Sequence, residues 1–343
     1  MNKLVIIGNG FDLAHGLKTS YKDFALWYLN KVINGGSQYP IILIDTTFAD
    51  KNKIPLLKSF ADFKVFTGEH GVKVTYYDPF IIQIMEKIDS NWVDIEADYF
   101  TTLAYDLSSP LRHLTGKILE KDLQYVRKLN KCFDMIKGEF ENYLSQINTS
   151  FLFEELPKNI VDIFQCELND DIYVLNFNYT DTIMNYASFF LIPVENINYI
   201  HGKINDVKNP IIFGYGNETD MNCVKIENLN ENEFTRHFKS FGYLTTDNYQ
   251  KLFKYLDRDQ FDVYIMGHSC GISDKVLFYN IFQNSNFNKV KLYYYQKGKN
   301  EWENDFFEKI QELSRHFDIN SKHLMRTRVV PFSESKPLTT YKS

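Results

Sequence analysis

The residues of this 343-residue chain with most scope for chemistry stand at the ends of apolar runs. Leu4 to Ile7 breaks into Gly8-Asn9-Gly10, and Ile172 to Leu175 ends in Asn176-Phe177-Asn178-Tyr179-Thr180-Asp181. Ile197 to Ile200 ends at His201-Gly202, Pro210 to Phe213 at Gly214-Tyr215-Gly216, and Phe261 to Met266 at Gly267-His268-Ser269. Two glycines one residue apart leave backbone amides free of side-chain cover, and such amides near a helix start suit phosphate. An imidazole such as that of His201 can move a proton near neutral pH. Each feature also has a purely structural reading. Tight strand-to-helix turns use glycine for steric reasons, Asn178 can cap the next helix, and His201 can be a buried histidine bonded to backbone. His15 and His268 offer further imidazoles, yet neither has an acid or cysteine at metal spacing, so no metal is assigned.

These residues can act together only if the apolar runs form one sheet. Leu, Val and two Ile in succession suit a strand buried on both faces, as in a parallel sheet. In an open parallel sheet the strand C-termini share one edge, where ligands bind at the topological switch point. Strands are expected at 1–8, 171–177, 196–201, 210–214, 261–267 and 290–295, which brings Gly8-Asn9-Gly10, Asn178, His201 and Gly267-Ser269 to that edge. The pattern between them is helical. Phe24, Trp27, Tyr28 and Val32 mark a helix over Tyr21–Asn34, started by Ser20 and stopped by Gly35-Gly36. Another is expected over Phe80–Ile88, and one from about Asn91, where Asp94 and Glu96 either complement the helix dipole or reach the ligand. Leu119 to Ile147 recurs every three or four residues, giving one long helix or two broken at Gly138. IILIDTTF at 41–48 reads as a strand or a buried helix, and VKVTYYDPF at 72–80 as extended.

The expected organisation is a discontinuous nucleotide-binding domain over 1–36 and 166–320, a mainly helical insertion over 37–165 and a second small insertion over 217–260. Trp302 to Phe317 reads as the closing helix. The tail over 321–343 is basic, then Ser- and Thr-rich, and is expected to be partly ordered at best. With 38 basic and 44 acidic residues the net charge is −6, so no global basic field recruits nucleic acid. The 23 Tyr and 29 Phe argue for a packed globule. The first apolar run is too short for a signal peptide, and none approaches the ~18 residues that span a bilayer. A soluble, cytoplasmic protein is expected. Cys132, Cys166, Cys223 and Cys270 are scattered, so free thiols are the default.

The dinucleotide fingerprint of dehydrogenases fails here, because Leu13 occupies its third glycine and no acid ends the next strand at the right distance. The stretch Gly8-Asn9-Gly10-Phe11-Asp12-Leu13-Ala14-His15-Gly16-Leu17 instead resembles the start of the AbiH-type phage abortive-infection family and of the sirtuin-like fold. The AbiH resemblance spans about residues 1–320 and includes Trp92-Val93-Asp94-Ile95-Glu96. What it implies is an α/β, Rossmann-like (sirtuin-like) parallel sheet flanked by helices. In the sirtuin-like pattern an Asn in a Thr-x-Asn-x-Asp turn holds the nicotinamide ribose, matching Asn178. A His before Gly is the catalytic base, matching His201, and a Gly-x-Ser strand end supports adenosine, matching Gly267 and Ser269. Gly8, Asn9, Gly10, Phe11, Asp12 and Gly16 are the implied remainder of the cofactor site. Asn176 stands where that pattern has Thr, and Thr180 where it has Asp. Lys18-Thr19-Ser20-Tyr21 replaces the Pro-Asp-Phe-Arg of protein deacylases, and the four-cysteine zinc module is missing.

The resemblance thus implies a phage-defence effector that binds NAD as substrate and hydrolyses its nicotinamide–ribose bond. A nucleotide sensor without turnover is the alternative, supported by Thr180, and a nucleic-acid-directed abortive-infection protein is the third reading. The expected partners are the nucleotide and a phage-derived trigger, with neither membrane nor direct nucleic acid. A homo-oligomer is left open.

Overall fold

The computed structural model describes residues 2–35, 41–44, 56–88, 94–107, 118–168, 171–216 and 220–339. In chain order the strands are β1 (Asn2–Ile7), β2 (Ile42–Ile44), β3 (Val74–Tyr76), β4 (Ile172–Asn176), β5 (Ile197–Tyr199), β6 (Phe261–Met266), β7 (Phe287–Tyr295) and β8 (Pro337–Thr339). Six form one sheet in the order β5-β4-β1-β6-β7-β8, every neighbouring pair parallel. The chain builds outward from β1 to β4 and β5, then returns across β1 to lay down β6, β7 and β8. The order therefore reverses beside β1, and the crevice beyond its C-terminus is the switch point of the sheet. Leu4, Val5, Ile6 and Ile7 are all completely buried, as a strand covered by helices on both faces must be.

The helices that position the site come in two groups. Before β4 lie α1 (Asn9–Ala14), α2 (Tyr21–Ile33), α3 (Phe60–Glu69), α4 (Pro79–Lys87), α5 (Ile95–Leu107), α6 (Glu120–Leu144) and α7 (Lys158–Cys166). Ser20 and Asp23 form a reciprocal capping box at the start of α2, and Gly35 closes that helix at φ +77°. The long helix α6 runs unbroken through Gly138. The 37–165 segment is not wholly helical, because β2 and β3 pair antiparallel within it as a separate ribbon. Asn91 and Trp92 lie outside the described residues, and α5 begins at Ile95.

After β4 come α8 (Thr182–Phe189), α9 (Met221–Glu227), α10 (Asn232–Thr235), α11 (Lys239–Gly242), α12 (Asn248–Leu256), α13 (Lys275–Gln283), α14 (Phe306–Ser314) and α15 (Lys322–Arg328). Phe24, Tyr28, Phe133 and Phe140 of the first group pack with Phe213, Tyr215, Phe234 and Phe238 in one aromatic core. The sheet carries a separate core on each face, one around Leu4, Ile6 and Val263, the other around Val5, Ile7 and Phe164.

Three expectations are corrected. Residues 210–214 do not form a strand. Ile212 donates one backbone bond to the His201 carbonyl at 2.7 Å, and Tyr215 bridges to Phe238, but no ladder follows. The closing helix is shorter than expected, Phe306–Ser314, and Trp302 is exposed. The tail is ordered up to Thr339. It forms α15 and then β8, which pairs parallel with β7 and buries Leu338. A short run of Pro-Leu-Thr carries too little periodicity to reveal a strand that forms only against a waiting edge.

Candidate functional site

The turn after β1 is held to the turn after β6 by backbone alone. Gly8 N–H donates to the Met266 carbonyl at 3.1 Å, Gly10 N–H to the Gly267 carbonyl at 2.8 Å, and Phe11 N–H to the Gly8 carbonyl at 2.8 Å. A Cβ on Gly8 would stand 2.5 Å from His268 Cα, and one on Gly10 2.7 Å from the Gly267 oxygen. These glycines thus let two strand ends lie against each other. Their amides, the expected phosphate cradle, are committed within the protein. Phe11 turns inward, packing edge-on against Tyr186 in the core. His15 is bound at both ring nitrogens, to the Phe11 carbonyl and the Tyr186 hydroxyl.

Beside this turn opens a cleft of about 410 Å³. Of the residues singled out from the sequence, Gly8, Asn9, Gly10, Asp12, Asn178, His201, Gly267, His268 and Ser269 line it, as do Asp94 and Glu96. Phe11 and Gly16 do not line it. Asn178 reaches across the sheet edge and donates its amide to the Gly8 carbonyl at 3.1 Å. The hydroxyl of Thr180 donates to Asp12 Oδ2 at 2.5 Å. Asp12 thereby brings a carboxylate to the turn that holds Asn178 and Thr180. Burial pushes Asp12 up to about 6, with Thr180, Thr182 and Asn178 pulling the other way.

The opposite wall is a buried charge cluster assembled from separate stretches. His201 Nε2 lies 3.1 Å from Asp274 Oδ1 and 3.0 Å from the Tyr243 hydroxyl. Lys239, only 1 % exposed, sets its Nζ 3.1 Å from the same Asp274 oxygen and 3.2 Å from Glu96 Oε2. Glu96 Oε1 accepts the Gly214 N–H at 2.8 Å. His268 Nδ1 accepts the Cys270 N–H at 2.9 Å, so in the neutral ring the proton sits on Nε2, 3.7 Å from Asp274 Oδ2.

The electrostatics follow from this arrangement. Burial alone would raise Asp274, but Lys239, His201 and His268 together outweigh it and hold the carboxyl far below its usual range. Burial raises Glu96 to about 7 even though Lys239 opposes the shift. Burial and then Lys239 lower His201, against the pull of Asp274, and burial lowers His268 to about 3. At neutral pH both cleft histidines are uncharged. Burial also raises Asp94, whose carboxylate accepts the Ala97 N–H at 3.0 Å.

Sequence reasoning missed Asp274, Lys239 and Tyr243. Asp274 carries a faint signal, an acid a few residues past Gly267-His268-Ser269 and directly before a helix. Lys239 carries none, because a lone lysine in a charged stretch reads as a solvated side chain. Among the described residues no group of three His, Cys, Asp or Glu is arranged to hold a metal ion, and no helix is long and apolar enough to cross a membrane.

No curated protein and no solved structure matches the chain significantly. A family model described as bacteriophage abortive infection AbiH matches residues 4–296, from β1 through β7, and so takes in every wall of the cleft. The chain belongs to the AbiH family of bacteriophage abortive infection proteins.

Proposed function

We propose that this chain is an abortive-infection effector with a sirtuin-like, Rossmann-like nucleotide fold, and that its cleft binds NAD and hydrolyses the nicotinamide–ribose bond. One observation carries the reading: Asn178 and His201 line a single cleft at the switch point of a parallel sheet, with a carboxylate fixed to the imidazole. Breaking the bond from ribose C1′ to the pyridinium nitrogen needs little acid catalysis, because nicotinamide leaves as a neutral molecule. The protein has to position the ribose, stabilise the oxocarbenium-like charge and take a proton from the attacking water or a ribose hydroxyl. His201 is the base in this scheme and Asn178 the ribose contact. Asp12 offers negative charge on the Asn178 side of the cleft. The diphosphate cannot rely on the amides of Gly8, Gly10 and Phe11, and would lie toward Lys22 at the rim.

A second reading, a nucleotide sensor without turnover, is favoured by the occupied state of His201 Nε2, which already faces Asp274 and Tyr243. Purified protein incubated with NAD, with and without phage lysate, separates the two. Release of free nicotinamide supports hydrolysis. Saturable NAD binding with no nicotinamide under either condition supports the sensor, and no binding at all rejects both.

A further inference from the structure

Lys239 stands first in α11, in the 217–260 stretch, and Glu96 stands in α5, in the 37–165 stretch. Both reach Asp274, directly or through each other, at the back of the cleft. An ammonium at that depth keeps its charge only with partners. Burial would lower Lys239, yet Asp274 and Glu96 together hold it well above its usual value. Asp274 therefore has a permanent countercharge that does not depend on His201. This matters for the imidazole, since an aspartate paired only with histidine favours the charged ring, whereas Lys239 beside it opposes that charge.

The ring geometry decides which nitrogen carries the proton. With Asp274 Oδ1 at 3.1 Å from Nε2, a lone pair on Nε2 would face an ionised oxygen, so the proton of the neutral ring belongs on Nε2. We propose that Asp274 and Lys239 are positioning residues for His201. Asp274 holds the Nε2 proton, Lys239 keeps the ring uncharged, and Nδ1 is the atom that takes the proton from water or a ribose hydroxyl. Glu96 completes the device by fixing Lys239 from the helical insert. In the reaction the oxygen of water bonds to C1′ and gives up its proton to Nδ1, directly or through a ribose hydroxyl, the C1′–N bond breaks with its electron pair going to nicotinamide, and Nδ1 carries the proton until solvent removes it. The Phe177 carbonyl beside the ring stabilises the imidazolium formed. Tyr243, Tyr179 and His268 beside His201 stay neutral through burial, and Asp12, Asp94 and Tyr21 also face the cleft.

This inference rests on the NAD-hydrolase reading for its kinetics but not for its structural test. Two-bond ¹⁵N–¹H spectra of labelled protein, with His201 assigned from the His201→Asn variant, report the tautomer without any substrate. The expected result is a proton on Nε2 and a lone pair on Nδ1, with Lys239→Met raising the His201 titration midpoint. In nicotinamide release, Asp274→Asn should lower kcat by roughly 10²- to 10⁴-fold with KM within about threefold, as loss of the correct tautomer does in other carboxylate–histidine pairs. If that variant does not fold, Asp274→Asn with Lys239→Met removes both charges and should fold with the same loss. A proton on Nδ1 in the wild type overturns the proposal. So does a folded single or double variant that keeps kcat within about threefold. A wild type with the expected tautomer that releases no nicotinamide sinks the hydrolase reading and leaves the positioning of His201 standing.

Discussion

Replacing Gly267 with alanine asks whether the glycines at the strand ends serve packing or ligand. Gly267 has φ +71°, and a Cβ there would lie 2.1 Å from Phe11 N and 2.4 Å from Gly10 C. Both neighbours are backbone at a helix start, so no flexible side chain can swing away. The left-handed conformation costs about 1–2 kcal/mol for a residue with a Cβ, and overpacking against backbone about 1–3 kcal/mol more. The sum is roughly 2–5 kcal/mol. At ~2–4 °C per kcal/mol for a large domain, the thermal midpoint should fall by about 4–20 °C. Gly16 is the internal control, with φ +77° and no atom within 4 Å of its would-be Cβ. Gly16→Ala should show only the conformational part, about 1–2 kcal/mol. Circular-dichroism melts of the three proteins give the comparison. The steric argument is refuted if Gly267→Ala melts within ~2 °C of wild type, or if Gly16→Ala costs as much. A Gly267→Ala protein that melts normally but no longer binds NAD would return these glycines to the ligand.

Other outcomes follow from the same geometry. His201→Ala should keep its fold and nucleotide binding while nicotinamide release falls about 10²- to 10⁴-fold, and Asn178→Ala should weaken both turnover and binding. An unfolded His201→Ala would mark a core histidine. Asp12 has a folded pKa raised from 3.8 to about 6, so its contribution is full below pH ~4 and lost as pH rises through 6. Between pH 4 and pH 8, Asp12→Asn should therefore gain about 3 kcal/mol relative to wild type in denaturant titrations. No such gain would mean that Asp12 is solvated in solution. Removing residues 330–343 strips β8 from the β7 edge, breaks the Lys336–Glu167 pair and takes the buried Leu338 out of the core. It should lower the melting temperature and promote aggregation by light scattering, and an unchanged melt would show that the strap is dispensable. Elemental analysis should find no stoichiometric zinc, and chelators should leave fold and activity unchanged. One zinc per chain would reopen deacylase chemistry.

What was legible in the sequence is what depends on local pattern. β1, β4 and β6 announce themselves because a strand buried on both faces must be continuously apolar, and the glycine-, asparagine- or histidine-bearing ends follow at once. α2 was readable from Ser20 to Gly35 because capping uses side chains within four residues of each other. Residues 210–213 mislead for the same reason. Ile211, Ile212 and Phe213 are apolar because they fill the joint core beside Phe140 and Tyr243, not because they pair in a ladder. The tail misleads in the opposite direction, since β8 takes its order from the edge of β7. Asp274 was only faintly legible as a site residue and Lys239 not at all, because an ion pair between positions 35 residues apart has no spacing rule. The glycines were read correctly as a turn, but their amides could be found occupied only once β6 was seen beside β1.

The cleft confronts a charge problem that Lys239 goes far to solve. Asp12, Asp94, Glu96 and Asp274 all line it, so the diphosphate of the ligand proposed above would meet negative charge. Glu96 at about 7 and Asp12 at about 6 are partly protonated near neutrality, and Lys239 offsets Asp274. Their stability effects also oppose those of the histidines. Glu96 and Asp12 have raised folded pKa values, so stability falls as pH climbs from about 4 to 7. His268, lowered to about 3, and His15 and His237, lowered to about 4, have the reverse effect, adding stability as pH rises toward 6.5. The two sets offset each other between pH 4 and 6.5, and above that only the carboxylates still titrate. Any net fall should thus be confined to about pH 6.5–7, where Glu96 finishes losing its proton and comes to depend fully on Lys239, with no further change from these groups above it. Because Lys239 enters from the 217–260 stretch, removing that stretch would strand Asp274 and Glu96 together as buried carboxylates without their cation at the back of the cleft.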